Sequence, residues 1–198
     1  MDPYLLLVVV LLLYALAAAG PSLLGRERLA WGQVAEILLW GIVLLAVAWL
    51  ARIASPLLYL LVLYLLTMRV RLVVEVANAL AARRQPGAQP LYALAGALAL
   101  NPMDRAIVRV NQGAALLHNG QVAQATGVLE GALRGGRLGN RLGAACRCNL
   151  GLAYLRTGDR ERGRALLRET VDLLPGSVYA RRASIALRRL DAAPAEAQ

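Results

Sequence analysis

The first third of the chain is apolar almost without interruption, and it divides into three runs. The first, residues 4–19, carries no charge, and the second and third occupy residues 31–50 and 53–68. A helix that crosses a bilayer needs about 20 apolar residues, or somewhat fewer when flanking arginines reach the headgroups. The pattern therefore predicts three transmembrane spans, at about 4–19, 31–50 and 53–74.

After Met68 the pattern changes to short amphipathic segments separated by Gly, Asn and Pro. Such segments are typical of packed helices in water. We therefore predict an anchor at 1–68, a helical domain at 69–190 and a disordered tail at 191–198.

The third span and the helix that follows it are predicted to be continuous. The segment from Pro56 to Arg84 contains no internal Pro or Gly, so it is predicted to form one helix of about 45 Å.

Composition and charge agree with this division. The 198-residue chain is 59% hydrophobic with a mean hydropathy of +0.53, which is too apolar for an ordinary water-soluble domain. All 22 basic residues are Arg; 19 of them, with nine acidic residues, follow Met68 and account for the net charge of +10. Such a charge could attract anionic lipid or nucleic acid.

The usual bias of positive residues toward the cytoplasmic side of membrane proteins explains the charge better. The Arg distribution predicts a bacterial inner (plasma) membrane protein with its N-terminus outside and its C-terminal domain in the cytoplasm.

A cleaved signal peptide is an alternative for the first run. Residues 17–20, Ala-Ala-Ala-Gly, resemble a small-residue cleavage site after an apolar core. The first four residues, Met-Asp-Pro-Tyr, carry no positive charge, whereas a signal peptide usually begins with a basic region. We therefore favour a span that is retained.

Glu36 is the acidic residue inside a predicted span. Carboxylates within a membrane are candidates for function by default. Glu36 follows Trp31 by little more than one helical turn, about 7.5 Å along the helix, so contact with the membrane surface or with a neighbouring helix is the favoured role. A proton relay needs a second ionisable partner at depth, and the three apolar runs do not supply one.

The helical domain contains an internal repeat with a constant offset. Residues 106–133 align with residues 144–171, and the aligned positions include Asn111 with Asn149 and Leu129 with Leu167. The pattern resembles the tetratricopeptide repeat (TPR), a helix–turn–helix unit of about 34 residues, and the resemblance is most specific in residues 144–175. The residues that carry it are Asn149, Leu150, Gly151, Ala153, Tyr154, Gly158, Asp159 and Pro175.

The resemblance implies an all-α fold. About three transmembrane helices would precede a short TPR-like right-handed α-solenoid with a degenerate first repeat, two recognisable repeats and a capping helix. Three features depart from the family pattern: Gly163 stands where the family usually has Ala, Leu116 replaces the aromatic residue matched by Tyr154, and no Pro closes residues 106–133. The residues expected to pack the repeats together are Gly113, Ala115, Gly151, Ala153, Tyr154 and Pro175.

The resemblance also implies a concave groove, lined by the first helix of each repeat, that binds peptides or helices of partner proteins. The predicted lining is mostly apolar and lacks the paired Lys and Asn with which some members hold an acidic tail, which favours an apolar ligand. The groove could equally be filled by the chain's own elements. The predicted groove residues are Ile107, Val110, Ala114, Leu117, His118, Ala145, Cys148, Leu152, Leu155 and Arg156.

We expect no catalytic, metal or cofactor site. His118 is the only histidine, and no Cys, Asp or Glu lies near it at ligand spacing on the same helix face. Cys146 and Cys148 point in different directions on a predicted helix, so burial is favoured over a disulfide or a metal site. The pattern shows neither a nucleophile with a base nor paired carboxylates, and we expect the protein not to be an enzyme.

The favoured hypothesis is a non-catalytic, membrane-anchored scaffold or adaptor. It would serve as an assembly factor or accessory subunit of an inner-membrane complex, with membrane lipid and an integral-membrane protein as its partners. The alternative is a small membrane subunit whose spans take part in transport or in holding a cofactor. In that case Glu36 would be involved and the TPR-like domain would be a docking element.

Overall fold

The computed structural model describes residues 2–24, 31–135 and 138–192, and all of the regular structure in those ranges is helical. The predicted all-α class is therefore confirmed for the described residues, while the right-handed solenoid arrangement stays a prediction. The helices are α1 (Pro3–Leu24), α2 (Trp31–Ala51), α3 (Pro56–Ala82), α4 (Ala88–Leu98), α5 (Pro102–His118), α6 (Val122–Arg134), α7 (Asn140–Arg156), α8 (Arg160–Leu173) and α9 (Val178–Ala192).

Three of these helices are long and apolar enough to cross a membrane, as predicted. The first is the part of α1 from Pro3 to Gly20, and the other two are the whole of α2 and the whole of α3. The third begins at Pro56 and not at Ile53, because a proline disfavours helical geometry in the residue before it. It then runs without interruption to Ala82, so the predicted continuous helix is confirmed, although it ends slightly before Arg84.

The chain divides into two compact units. The first comprises Met1–Val73 with Leu94–Arg105, and the second comprises Val74–Ala93 with Ala106–Gln198. Sequence patterning alone would not assign Leu94–Arg105 to the unit that holds the apolar helices. Within this unit, Arg69 Nη2 of α3 donates a hydrogen bond to the Leu98 carbonyl at the end of α4, at 3.0 Å.

The core of the first unit lies where α1, α2 and α3 meet. A Cβ on Gly41 would collide with the Leu11 side chain, so the absence of a side chain lets α1 approach α2. The Tyr59 hydroxyl donates to the Gly41 carbonyl at 2.9 Å and ties α3 to the same point. Many other apolar side chains point outward, including Leu57 at 81% exposure, as expected of helices whose solvent is lipid.

The second unit repeats one packing contact at the predicted offset. A Cβ on Gly113 would lie 2.5 Å from Leu129 Cγ, and a Cβ on Gly151 would lie 3.0 Å from Leu167 Cγ. In each pair a glycine on the first helix of a hairpin accommodates a leucine from the second. The hairpin α5–α6 and the hairpin α7–α8 are thus built on the same contact.

The turns of the two hairpins correspond as well. Gly120 has φ +83° and Gly158 has φ +89°, a left-handed conformation that glycine adopts without strain. Asp159 then caps α8 by accepting a hydrogen bond from the Arg162 N–H at 3.1 Å. Gln121, at the equivalent position before α6, makes no such side-chain bond to the described part of that helix.

The remaining predicted packing residues lie in different environments. Ala115 and Ala153 are buried, and the Tyr154 hydroxyl donates to Glu130 Oε1 at 2.5 Å. Pro175 is exposed and follows the end of α8, so it terminates the helix and does not pack between repeats. Gly163 lies against the backbone of α7, where an added Cβ would be 3.0 Å from the Gly151 carbonyl oxygen.

Some predictions fall at the edge of the described residues. The predicted tail at 191–198 overlaps the end of α9, which includes Asp191 and Ala192, and residues 193–198 lie outside the described residues. The same holds for Arg26 and Arg28, whose positions contributed to the predicted topology.

Candidate partner groove and buried ion pair

A groove of about 260 Å³ opens in the second unit between α5, α7 and α9. Each helix contributes both apolar and polar side chains to its wall. The lining residues are Val110, Asn111, Ala114, Leu117, His118, Leu142, Ala145, Asn149, Arg156, Tyr179 and Arg182.

The structure brings together part of the predicted groove. Six predicted residues line it, namely Val110, Ala114, Leu117, His118, Ala145 and Arg156.

Ile107, Cys148, Leu152 and Leu155 do not line the groove. Helix α7 packs against α6, α8 and α9, so its side chains face three neighbours and only some face the groove. Cys148 belongs to a buried cluster with Leu167, and Leu155 lies against Gly163 of α8.

Sequence reasoning missed the polar part of the groove. Asn111 and Asn149 occupy equivalent repeat positions, and that repetition on the same helix face was the signal that could have identified them. Arg182 was not among the predicted groove residues. It borders the groove, where its Nη1 lies 3.4 Å from Asn149 Oδ1. Leu142 and Tyr179 complete the set of residues that the prediction omitted.

The groove is positively charged. Arg156 and Arg182 both line it, whereas no Asp or Glu is among the described residues of its lining. Arg156 also donates to the Leu117 carbonyl at 2.5 Å, which holds its guanidinium at the end of α5. The lining is therefore more polar than predicted, because α9 adds an arginine and the two asparagines face inward.

A chain of hydrogen bonds holds Asn111 in place. The Tyr92 hydroxyl donates to Asn78 Oδ1 at 2.6 Å, and Asn78 Nδ2 donates to Asn111 Oδ1 at 3.2 Å. The Asn111 amide in turn donates to the Ile107 carbonyl at 2.8 Å. This part of the wall is thus preorganised by α3 and α4.

The two cysteines are free and buried. Burial raises the pKa of the Cys146 thiol to about 11, although Arg147 lowers it, and burial also raises the pKa of Cys148. A raised pKa leaves little reactive thiolate near neutral pH. In the ranges that the structure describes, no three His, Cys, Asp or Glu side chains are grouped closely enough to hold a metal ion.

Glu36 forms an ion pair inside the first unit. Its Oε1 lies 2.6 Å from Arg69 Nη1, and its Oε2 accepts a hydrogen bond from Asn101 Nδ2 at 2.6 Å. Only 9% of Glu36 is exposed. The favoured role for Glu36, contact with a neighbouring helix, is therefore confirmed, although its charged partner Arg69 was not predicted.

The connection between the helices explains the pairing. Helix α2 ends at Ala51 and α3 begins at Pro56, so only a short turn separates them. Glu36 lies about as far before that turn along α2 as Arg69 lies after it along α3. When two antiparallel helices pack side by side, positions equally far from the turn that joins them lie next to each other. Arg69 therefore turns toward Glu36, and its guanidinium carbon lies 5.8 Å from the centroid of the Trp40 ring.

Asn101 connects this ion pair to a second carboxylate. It caps α5, because its Oδ1 accepts the Asp104 N–H at 2.8 Å and Pro102 occupies the first helical position. Its Nδ2 donates to both Glu36 Oε2 and Asp104 Oδ2, at 2.6 and 2.9 Å. One amide thus bridges two buried carboxylates beside one guanidinium.

The stability of the protein is expected to depend on pH through Asp104. Burial and the nearby Glu36 raise the pKa of Asp104, while the Asn101 hydrogen bond and the charges of Arg71 and Arg69 lower it, and the net effect is a raised pKa. The folded state therefore holds this proton more tightly than the unfolded chain. The resulting stabilisation is fully present below the unfolded pKa of about 3.9 and is lost as pH rises through the folded value.

Replacing Asp104 by Asn should remove that contribution. We expect thermal unfolding in detergent, followed by circular dichroism from about pH 4 to about pH 8, to show a smaller decrease in stability with rising pH in the variant than in the wild type. Identical slopes for the two proteins would contradict the assignment.

No family model, curated protein or solved structure matches this chain in comparisons with known proteins.

Proposed function

We propose that this protein is a non-catalytic, membrane-anchored scaffold that presents a TPR-like helical domain to protein partners. It would act in the cytoplasm at a bacterial inner membrane, as an assembly factor or accessory subunit of a membrane complex. Three apolar helices support the anchor, and the repeated hairpin contact supports the repeat domain. The positively charged groove between α5, α7 and α9 is the observation on which the proposal rests.

The chemistry of the groove favours an acidic segment of the partner. A guanidinium carries five N–H donors in a planar fork that matches a carboxylate. Arg156 and Arg182 each use one donor group in the contacts described above, so further donors are available for a ligand. The volume of about 260 Å³ is at the small end for a ligand pocket, and it suits one or two side chains or a chain terminus.

Photo-crosslinking from the groove tests this proposal. A photoreactive amino acid at His118, which is exposed at the edge of the groove, should give a discrete protein adduct in cells. The same amino acid at Ala165, an exposed position on α8 outside the groove lining, is the matched control and should give no such adduct.

The contribution of charge is tested in the same experiment. Arg182→Gln should reduce the adduct from His118 at least about tenfold, because a charge-assisted hydrogen bond contributes about 1.5–3 kcal/mol. Arg168→Gln, which removes an exposed arginine of α8, should leave it unchanged. Equal adduct yields in the two variants, or no adduct from His118 at all, would contradict groove binding.

A second candidate function concerns the membrane helices. The buried Glu36–Arg69 ion pair supports it, because charged side chains are costly inside a membrane and often mark transport paths or sites that hold a cofactor. Under this alternative, the double variant Glu36→Gln/Arg69→Met, which removes the charges without leaving one of them unpaired, would abolish the activity of the complex while the His118 adduct persisted. Under the scaffold proposal, both the adduct and the activity of the complex should persist in this double variant.

A further inference from the structure

The outward face of α9 combines arginines with exposed aliphatic side chains. At about 100° per residue, seven residues of α9 fall within an arc of about 120°, namely the small, exposed Ala192 and six larger residues. Val178 and Ile185 lie at the centre of the arc and are 66% and 54% exposed. Two arginines flank them on each side, and one of these, Arg182 at the edge of the arc, also borders the groove. The face consists of Val178, Arg181, Arg182, Ile185, Arg188 and Arg189, and we call it the α9 face.

The positive charge of the α9 face is not neutralised by its own helix. Asp191 is the only acidic residue of α9, and it lies outside the arc, where its Oδ1 pairs with Arg164 Nη2 at 2.8 Å. Among the residues that the structure describes, no carboxylate pairs with Arg181, Arg188 or Arg189. The face therefore presents a concentrated positive charge around an apolar centre.

We propose that the α9 face binds anionic phospholipid headgroups of the membrane in which the chain is anchored. An amphipathic helix at a bilayer surface places aliphatic side chains at the headgroup boundary and basic side chains against phosphates. Val178 and Ile185 match the first requirement, and the flanking arginines match the second. This inference does not depend on what the groove binds.

Anchoring makes a weak surface contact effective. Each arginine near an anionic surface contributes modestly, and a free helix with four of them would bind only reversibly. The three apolar helices hold the α9 face near the lipid because they belong to the same chain. This tether raises the effective concentration of the face at the membrane surface, as in an intramolecular contact. Nucleic acid fits the face less well, because no aromatic side chain in it can stack on bases and its aliphatic centre would gain nothing from a phosphate backbone.

The experiment uses the full chain, labelled with an environment-sensitive dye on an Ile185→Cys variant. Cys146 and Cys148 are buried with raised thiol pKa values, so labelling should be selective. The protein is reconstituted into nanodiscs of phosphatidylcholine alone or with about 30% phosphatidylglycerol. We expect blue-shifted emission in the anionic nanodiscs only, and its loss when salt is raised from about 50 to about 500 mM.

Charge variants then assign the response to this face. Arg181→Glu/Arg188→Glu is expected to lower the bound-to-free ratio of the dye about 30-fold or more. The control Arg160→Glu/Arg168→Glu changes the net charge equally at exposed positions of α8 and should retain the blue shift. Circular dichroism of each variant checks that it is folded. The lipid and salt dependence of the labelled protein that keeps all four arginines of the α9 face tests the proposal without any charge variant.

Three results would overturn the proposal. The first is the same dye emission in neutral and anionic nanodiscs. The second is an equal loss in the α8 control, which would indicate general attraction of the basic domain to the surface. The third is salt-sensitive binding of an RNA oligonucleotide at the α9 face by protein that gives no response to lipid.

Discussion

Replacing Arg69 by Met is expected to lower the free energy of unfolding of the protein by about 3–5 kcal/mol, because it leaves the Glu36 carboxylate buried without its cation. The pair is largely shielded, with side-chain exposures of 16% for Arg69 and 8% for Glu36. The measurement is unfolding in mixed micelles by increasing denaturing detergent, followed by far-ultraviolet circular dichroism. The result would show that the pair stabilises the anchor by mutual neutralisation.

Two further variants separate charge pairing from simple loss of packing. Glu36→Gln/Arg69→Met should recover most of the lost stability, because replacing both members of a buried pair by neutral groups is often close to neutral. Arg71→Met, at a nearby exposed position, should change stability by no more than about 0.5 kcal/mol. If Arg69→Met proved as mild as Arg71→Met, the ion pair would have no structural role.

Replacing Leu129 by Ala is expected to lower the free energy of unfolding by about 2–5 kcal/mol, since the side chain is fully buried against Gly113. Gly113→Ala should itself cost about 1–3 kcal/mol, because the new methyl group would lie 2.5 Å from Leu129 Cγ. Thermal and chemical unfolding of the full chain in detergent measures both values.

The double variant Gly113→Ala/Leu129→Ala is the sharper test. The added methyl group occupies part of the space that the leucine leaves, so the double variant should be less destabilised than the sum of the single variants. Gly127→Ala is the control, because Gly127 is exposed in α6 with open space around it, and it should stabilise the protein by about 0.5–1 kcal/mol. Additive losses in the double variant would contradict the close contact.

The polar contacts between the apolar helices and Asn101 could not be predicted from residue type and spacing. Arg69 at the end of an apolar run was predicted to extend toward headgroups, and that prediction is reasonable for an isolated helix. The short turn between α2 and α3 changes the outcome by bringing Glu36 to the same height. Asn101, from a separate part of the chain, then supplies the remaining hydrogen bond to Glu36.

The groove was predicted in part for a similar reason. The constant offset between the repeats identifies equivalent positions on α5 and α7, and it located Val110, His118 and Arg156. Periodicity does not show how many neighbours a helix has. Because α7 packs against α6, α8 and α9, Cys148 and Leu155 are buried away from the groove.

The amino-acid sequence by itself determined the helical class, the three apolar helices and the offset of the repeated hairpins, because those features follow from local periodicity and from the length of apolar runs. The tertiary structure alone decided which polar side chains meet. The Glu36–Arg69 pair and the approach of Arg182 to Asn149 both join residues that are distant in the sequence. Such contacts depend on how helices pack and at what height they meet, which no local pattern encodes.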